Sequence, residues 1–188
     1  SIEKWKLSSH PPGETVEIEN PILNLDEYNE VSQHLGFSIS KSDYDGIFRN
    51  IYLTYKLGDG YFNSLALETA SSVRSDLKYD QNKIYLNFKS DIKEKHSISA
   101  ADILMAEQDS DKGRSLKQEL AAKLKGKVVV LGVTATSAGD YHTTSMGLLS
   151  GPEIVLTAVD NLLSRDFLTE PGVAVSAVFI LYFIFIFL

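Results

Sequence analysis

The chain has 188 residues, with 18 Lys and Arg against 25 Asp and Glu and a formal net charge of −7, and it is long enough for one domain with a sizeable core plus a little more. An acidic chain with no basic stripe has nothing to neutralise a phosphate backbone, which argues against a nucleic-acid partner. Cysteine is absent, so disulfides and thiolate metal sites are excluded, although the compartment is not decided by this.

Residues 1–25 are irregular, with "HPPGE" a loop. "LDEYNEVSQHLG" predicts a short helix with Asp26 as cap and Gly36 as stop. "DYDGIFRN" follows, at residues 43–50. Set against an EF-hand loop with Gly46 as the turn glycine, Asp43 and Asp45 occupy ligand places. However, Lys41 stands at the first place and Tyr52 at the final glutamate place, and a lysine cannot coordinate a cation. Asp43, Asp45 and Gly46 therefore read as a structural turn. Beyond it Ile51, Leu53, Tyr55 and Leu57 alternate with Tyr52, Thr54 and Lys56, the period of a half-buried strand. "GFSIS" upstream also alternates, so the turn is expected to close a hairpin. Arg49 has two readings: a partner for Asp43 or Asp45, or a clamp on an anionic ligand.

After the turn "GDG" a helix is expected over about residues 63–76, with Leu65, Thr69 and Val73 on one face. "KIYLNF" places Ile84, Leu86 and Phe88 on one side of a strand. The aromatics at 52, 55, 61, 85 and 88 are assigned to the core in preference to a ligand cleft. A helix begins near Ser99, where Asp102 can complete a capping box, and "RSLKQELAAKL" forms another that ends at Gly126. "KVVVLGV" is a continuous β-branched and leucine run, which predicts a strand buried on both faces of a parallel sheet. A loop, "TATSAGDYHTTSMGLLSG", leads to a helix from Pro152 to about Arg165. Its apolar stripes are Ile154, Ala158, Leu162 and Val155, Val159, Leu163. The expected class is α/β: a layered domain with a mixed, largely parallel sheet flanked by helices and followed by a transmembrane helix.

That last element is the run Val173–Leu188, "VAVSAVFILYFIFIFL", which carries no charge. A spanning helix takes about 20 apolar residues, so the run reads as the start of one, cut short, with Pro171 and Gly172 at its entry. The flank before it holds Arg165 as its sole base against Glu153, Asp160, Asp166 and Glu170, a composition that favours the extracytoplasmic side. The chain opens on Ser1 with no signal segment, and a fragment truncated at both ends is expected.

Two carriers of chemistry stand out in the loop after "KVVVLGV": Asp140 and His142, where α/β domains place their sites. The four histidines, at 10, 34, 96 and 142, form no local metal motif, and no GxSxG, GxxxxGK[ST] or GxGxxG is present. An extracytoplasmic, membrane-anchored enzyme using Asp140 and His142 is the alternative functional reading.

"DYDGIFRNIYL", "FNSLALETA", "LKGKVVVLGVTATSAGD" and "GPEIVLTAVDNLLSRDFLTEPG", in that order and directly before an apolar run, resemble the second half of a type-2 CHASE domain. This is a sensory module associated with cyclases and histidine kinases. The resemblance covers roughly residues 30–170, and the block from "GKVVVLGVTA" to "VDNLLSRDFL" is its most specific part. The family's first half, with an initial strand and an Asp-containing turn, has no counterpart here. "SGPEIVLTAVDNLL" departs from the family's more usual Pro-Gly-Val-Glu pattern, with Leu156 and Thr157 at positions that are polar there.

The resemblance implies an extracytoplasmic sensory domain over residues 1–170 and the start of a transmembrane helix over 171–188, in the bacterial cytoplasmic membrane. It implies a periplasmic or extracellular position for the domain. It also implies a cytoplasmic output elsewhere in the protein: a class III nucleotide cyclase, or else a histidine kinase, a serine/threonine kinase or a diguanylate cyclase. Expected partners are an unidentified small-molecule or protein stimulus, the membrane and a second copy of the chain. Arg49, Asp140, His142 and Thr143 are the candidate ligand contacts, and Gly132 and Gly151 join Asp43, Asp45 and Gly46 as structural positions. No catalytic residue, metal or cofactor is assigned to this segment.

Overall fold

The computed structural model describes residues 2–38, 41–89, 97–135, 137, 139–169 and 173–187. After a 3-10 turn at Glu3–Trp5 come β1 (Val16–Glu17), α1 (Asp26–Val31), β2 (Asn50–Tyr52), β3 (Thr54–Leu57), β4 (Gly60–Asn63) and α2 (Leu65–Val73). They are followed by β5 (Lys83–Tyr85), α3 (Ala100–Ala106), α4 (Asp111–Leu124), β6 (Tyr141–Thr144), β7 (Gly147–Ser150), α5 (Gly151–Ser164) and α6 (Val173–Phe187). The class is mixed α/β, as the sequence predicts, but the strand pairing is not the predicted one. The described strands form three small sheets, β1-β3-β4, β2-β5 and β6-β7. Among these pairs only β1 with β3 is parallel. Isolated bridges Phe37–Ser64, Phe48–Thr144 and Tyr85–Leu168 connect the pieces.

The alternating stretch 47–57 does not run as one strand. It bends at Leu53, so that β2 pairs with β5 and β3 with β1 and β4. Asn82 makes the bend possible. Its Oδ1 accepts the Thr54 N–H at 2.7 Å, its Nδ2 donates to the carbonyls of Thr54 and Glu14, and its own carbonyl accepts the Leu53 N–H. One buried amide thus supplies what a neighbouring strand would otherwise give. The expected hairpin with "GFSIS" is corrected too: Phe37 bridges Ser64, and Ile39 and Ser40 lie outside the described residues.

The helices follow their end signals with small shifts. α1 stops at Val31 instead of Gly36, and its N-cap is Leu25, not Asp26. Gly36 serves a different purpose, since a Cβ there would sit 2.5 Å from the Leu65 Cα. α2 starts from Ser64, whose Oγ accepts the Leu67 N–H. Its inward face is Ala66 and Ala70 in place of the expected Leu65–Thr69–Val73 stripe, and Val73 is exposed. α3 and α4 are capped by Ser99 and Ser110, and Gly126 ends that pair with φ +71°. α5 has Pro152 in its first turn and Glu153 reaching back to the Ser150 N–H at 2.7 Å. Both of its predicted stripes face inward, with Ile154, Ala158, Val159 and Leu162 buried and Val155 and Leu163 packed beside them. They meet Phe48, Leu53, Ala70, Ile84, Leu86 and Leu149 in one core. Phe88 packs against it from the expected side of "KIYLNF".

"KVVVLGV" is the largest correction. No described strand pairs with it, and Val129, Leu131 and Val133 are 60%, 89% and 65% exposed, while Val128 packs on the core. A strand buried on both faces needs a neighbour along its edges and cover on each face. The described residues give this one cover on a single face. Gly132 is fixed by a close approach, because a Cβ there would lie 2.2 Å from the Pro152 ring. The expected loop 134–151 contains the hairpin β6-β7 instead, turning at Ser145 and Met146.

Candidate functional site

The acidic turn is closed by its own backbone, with Gly46 N–H donating to the Asp43 carbonyl at 2.9 Å and Asp43 N–H to that of Ile47 at 3.0 Å. Gly46 has φ +78°, a conformation that a β-branched residue adopts only with strain. Gly46→Val is therefore expected to destabilise the domain by about 1 kcal/mol or more, measured as a shift in the urea midpoint. Arg49 lies across the turn. Its Nη1 donates to Asp43 Oδ2 and Asp45 Oδ1, both at 2.9 Å, and its Nη2 to Asp45 Oδ2 at 2.7 Å. Asn50 Nδ2 donates to the remaining Asp43 oxygen at 2.8 Å.

The Arg49 bonds and the Ile47 N–H hold the Asp45 carboxyl down at about 2. A depressed carboxyl pKa stabilises the fold above the unfolded value and stops doing so as pH falls through the folded one. The Asp45–Arg49 pair is thus expected to persist to about pH 4 and to be lost toward pH 2, with the Asp45 carboxyl carbon titrating near 2 by NMR. A midpoint near 4 would show that the pair does not form in solution. The turn is also expected to be indifferent to calcium: adding calcium should not move the melting temperature of the parent protein or of the Asp43→Asn variant.

A second group is built where β6 meets the start of α5. His142 Nε2 lies 3.2 Å from Asp140 Oδ1, and its ring tilts against Phe48 with centroids 5.5 Å apart. The Asp140 carbonyl accepts the Gly151 N–H at 3.0 Å, and a Cβ at Gly151 would meet the Asp140 carboxylate, which would have to swing aside. Thr143 is exposed, and its carbonyl accepts the Phe48 N–H at 2.7 Å. The fold therefore brings Asp140 and His142 into contact and joins the Arg49 segment to theirs through Phe48. The Arg49 guanidinium itself is held by the aspartates of its own turn. The side chain that shapes the hairpin is the neighbouring Thr144, buried, with Oγ1 donating to the Gly147 carbonyl and accepting the Met146 N–H.

Among the described residues, no third His, Asp or Glu side chain joins Asp140 and His142 at a metal position, and no three converge on one elsewhere. A cavity of about 30 Å³ lies between α2 and the start of α5, walled by Phe48, Ile51, Tyr55, Ala66, Ile154 and Ala158. That is room for about one water, far below the roughly 300 Å³ of a small-molecule site. Tyr55 in its wall has its phenol pushed up by burial.

The exit of α5 is tied down by several hydrogen bonds. Arg165 closes the helix in a left-handed conformation, φ 55°. The Leu162 carbonyl accepts the Tyr79 hydroxyl at 3.0 Å and the Leu163 carbonyl the Arg74 guanidinium at 2.7 Å. Arg74 thus supplies a donor to a helix-end carbonyl, and Tyr79 adds one to the carbonyl that the Arg165 N–H reaches at 3.4 Å. Leu168 exchanges both backbone bonds with Tyr85, at 2.8 and 3.2 Å, and the Phe167 ring meets Tyr79 edge-on at 5.8 Å. Beyond this, α6 is apolar on every side, and from Val178 to Ile186 each side chain is exposed. No helix among the described residues is long and apolar enough to cross a membrane. The expected entry residues Pro171 and Gly172 lie outside the described residues.

Sequence reasoning did not single out two buried amides, Asn82 and Asn161, 3% and 0% exposed. Asn161 was detectable as a polar residue on the inward face of an otherwise apolar helix. Asn82, before a strand, carried no such signal.

The described residues form a mixed α/β domain in which no three His, Asp or Glu side chains converge on a metal position, followed by an uncharged helix. The family model described as CHASE2 domain matches residues 8–188, and the chain belongs to that family, whose members are extracellular sensory domains and not catalytic ones. No curated protein and no solved structure matches the chain.

Proposed function

We propose that residues 1–170 are the extracytoplasmic signal-input domain of a bacterial transmembrane receptor and that residues 171–188 begin a helix entering the cytoplasmic membrane. The observation that carries this is α6: an uncharged helix whose side chains from Val178 to Ile186 are exposed, in a chain of a sensory family. Such a surface needs a lipid or protein environment. The flank in front of it is acidic, with Arg165 the sole base, as befits the outer side. The output in this reading is a cytoplasmic nucleotide cyclase or a kinase, and the receptor acts as a homodimer.

The stimulus, a small molecule or a protein, contacts the surface around Asp140, His142 and the exposed Thr143, beside the N-terminus of α5. An anionic stimulus would also draw on Arg49, at the cost of its bonds to Asp43 and Asp45. A stimulus there biases the docking of α5, and α5 hands the change to α6 through a short link that has little slack. This is a population shift between two packings.

Inserting about ten Gly and Ser residues after Leu168 in the full-length receptor breaks that continuity, since a flexible chain transmits neither torque nor register. Output is then expected to be constant across growth media while the domain stays folded. Condition-dependent output at full amplitude after the insertion would sink the coupling route.

A further inference from the structure

Three neighbouring residues of β5 and its continuation send their amides in alternating directions. The N–H groups of Tyr85 and Asn87 point to the α5 exit, bonding the Leu168 carbonyl at 3.2 Å and the Asn161 Oδ1 at 2.7 Å. The Leu86 N–H between them points the other way, to the Arg49 carbonyl at 2.8 Å. On the exit side the contacts are reciprocal. Leu168 N–H returns to the Tyr85 carbonyl at 2.8 Å, and the buried Asn161 amide donates to the Asn87 carbonyl at 3.3 Å. Asn87 Nδ2 donates to Asp166 at 3.0 Å. Lys89 bridges Asp160, inside the helix, and Asp166, beyond its end, at 3.3 and 2.9 Å.

Apart from the Leu86 bond, every one of these contacts joins residues 85–89 to residues 160–168. Their outer members are surface ion pairs, Lys89, Asp160 and Asp166 being 43%, 54% and 47% exposed. Surface pairs are individually weak and are screened by salt. The inward face of the same segments is anchored separately by Leu86 and Leu162 in the core.

We propose that the contacts between residues 85–89 and 160–168 form a latch that opens as one unit ahead of the core, so that the chain entering α6 has a held and a released state. Asn161 is its positioning residue and Lys89 its salt-sensitive clasp. The signalling meaning of the latch rests on α6 being the membrane helix at the exit of a sensory domain. The opening itself does not, and it can be measured without a membrane or an output.

The test is amide hydrogen exchange of the whole chain in detergent micelles, read at Tyr85, Asn87 and Leu168 as latch amides, at Leu86 as the interleaved control, and at Leu53 and Ser64 as core amides. The three latch amides are expected to exchange with one common protection factor, lower than those of Leu86, Leu53 and Ser64. Lys89→Ala, an exposed change, is expected to speed all three by a common factor of about two to five and to leave the other amides unchanged. Adding salt to about 1 M should do the same in the parent protein and nothing further in the variant. Asn161→Ala should speed Tyr85 and Leu168 as well as Asn87, although only Asn87 loses a direct bond. The proposal is overturned if Leu86 opens together with Tyr85 and Asn87, if Leu168 responds to Lys89→Ala while Tyr85 and Asn87 do not, or if the latch amides exchange only along with the core. Any of these results leaves the sensory reading intact, and failure of the Gly-Ser insertion test leaves the latch intact.

Discussion

Asn82→Leu is expected to destabilise the domain by about 3–5 kcal/mol, at about 1–3 kcal/mol for each buried polar group left without a partner. The substitution strands the Thr54 N–H and the carbonyls of Thr54 and Glu14 that the amide now satisfies. Asn82 and Thr54 are 3% and 4% exposed, so water cannot replace the two Thr54 bonds without opening the bend at Leu53, whereas Glu14 is exposed and its carbonyl can turn to water. That bend separates β2 from β3 and lets one stretch of chain serve two sheets. Asn82→Asp keeps one acceptor for the Thr54 N–H but loses both donors and adds a buried charge, so it should be no milder. Urea unfolding in detergent measures both variants against the parent. A change below about 1 kcal/mol for Asn82→Leu would mean that the bend is held some other way.

Phe48→Ala comes next, at about 3–5 kcal/mol for a large buried aromatic. Phe48 is 1% exposed. It is the side chain that the core shares with the candidate site, packed in the central cluster on one side and against the His142 ring on the other. Its backbone N–H bonds Thr143 whatever its side chain. The variant should therefore retain the β6 contact while the His142 ring signals move and broaden. Unchanged His142 resonances beside a large loss of stability would show that the ring contact does not position His142.

What could be read from the sequence was local chemistry with a period. The two stripes of α5, the turn at Gly46, the pairing of Arg49 with its aspartates and the inward side of "KIYLNF" all follow from residue spacing and turn grammar. What could not be read depended on partners distant in sequence. "KVVVLGV" has the composition of a central strand, but a strand is a relation to its neighbours, and no described residue offers that ladder. The continuous alternation of 47–57 hid a bend because the residue that makes it, Asn82, stands far along the chain. The β6-β7 hairpin was obscured by Thr, Ser and Gly, which suit a loop as well as a short edge pair. At the candidate site the sequence located Asp140 and His142 near each other. It did not show that Phe48 would carry the Arg49 segment to them, nor that the exit of α5 would be tied to residues 85–89 by several bonds.

The absence of cysteine from these residues permits a direct test of the central claim, that this domain stands outside the membrane that α6 enters. Ser145 lies exposed in the β6-β7 turn, and Ser145→Cys adds one reactive thiol there. The measurement uses the full-length receptor, with any cysteine elsewhere replaced, and a membrane-impermeant maleimide on cells whose cytoplasmic membrane is intact. The account predicts that Cys at this position is labelled before that membrane is broken, to the same extent as after. Labelling that appears only once the membrane is broken would place the domain in the cytoplasm and contradict it.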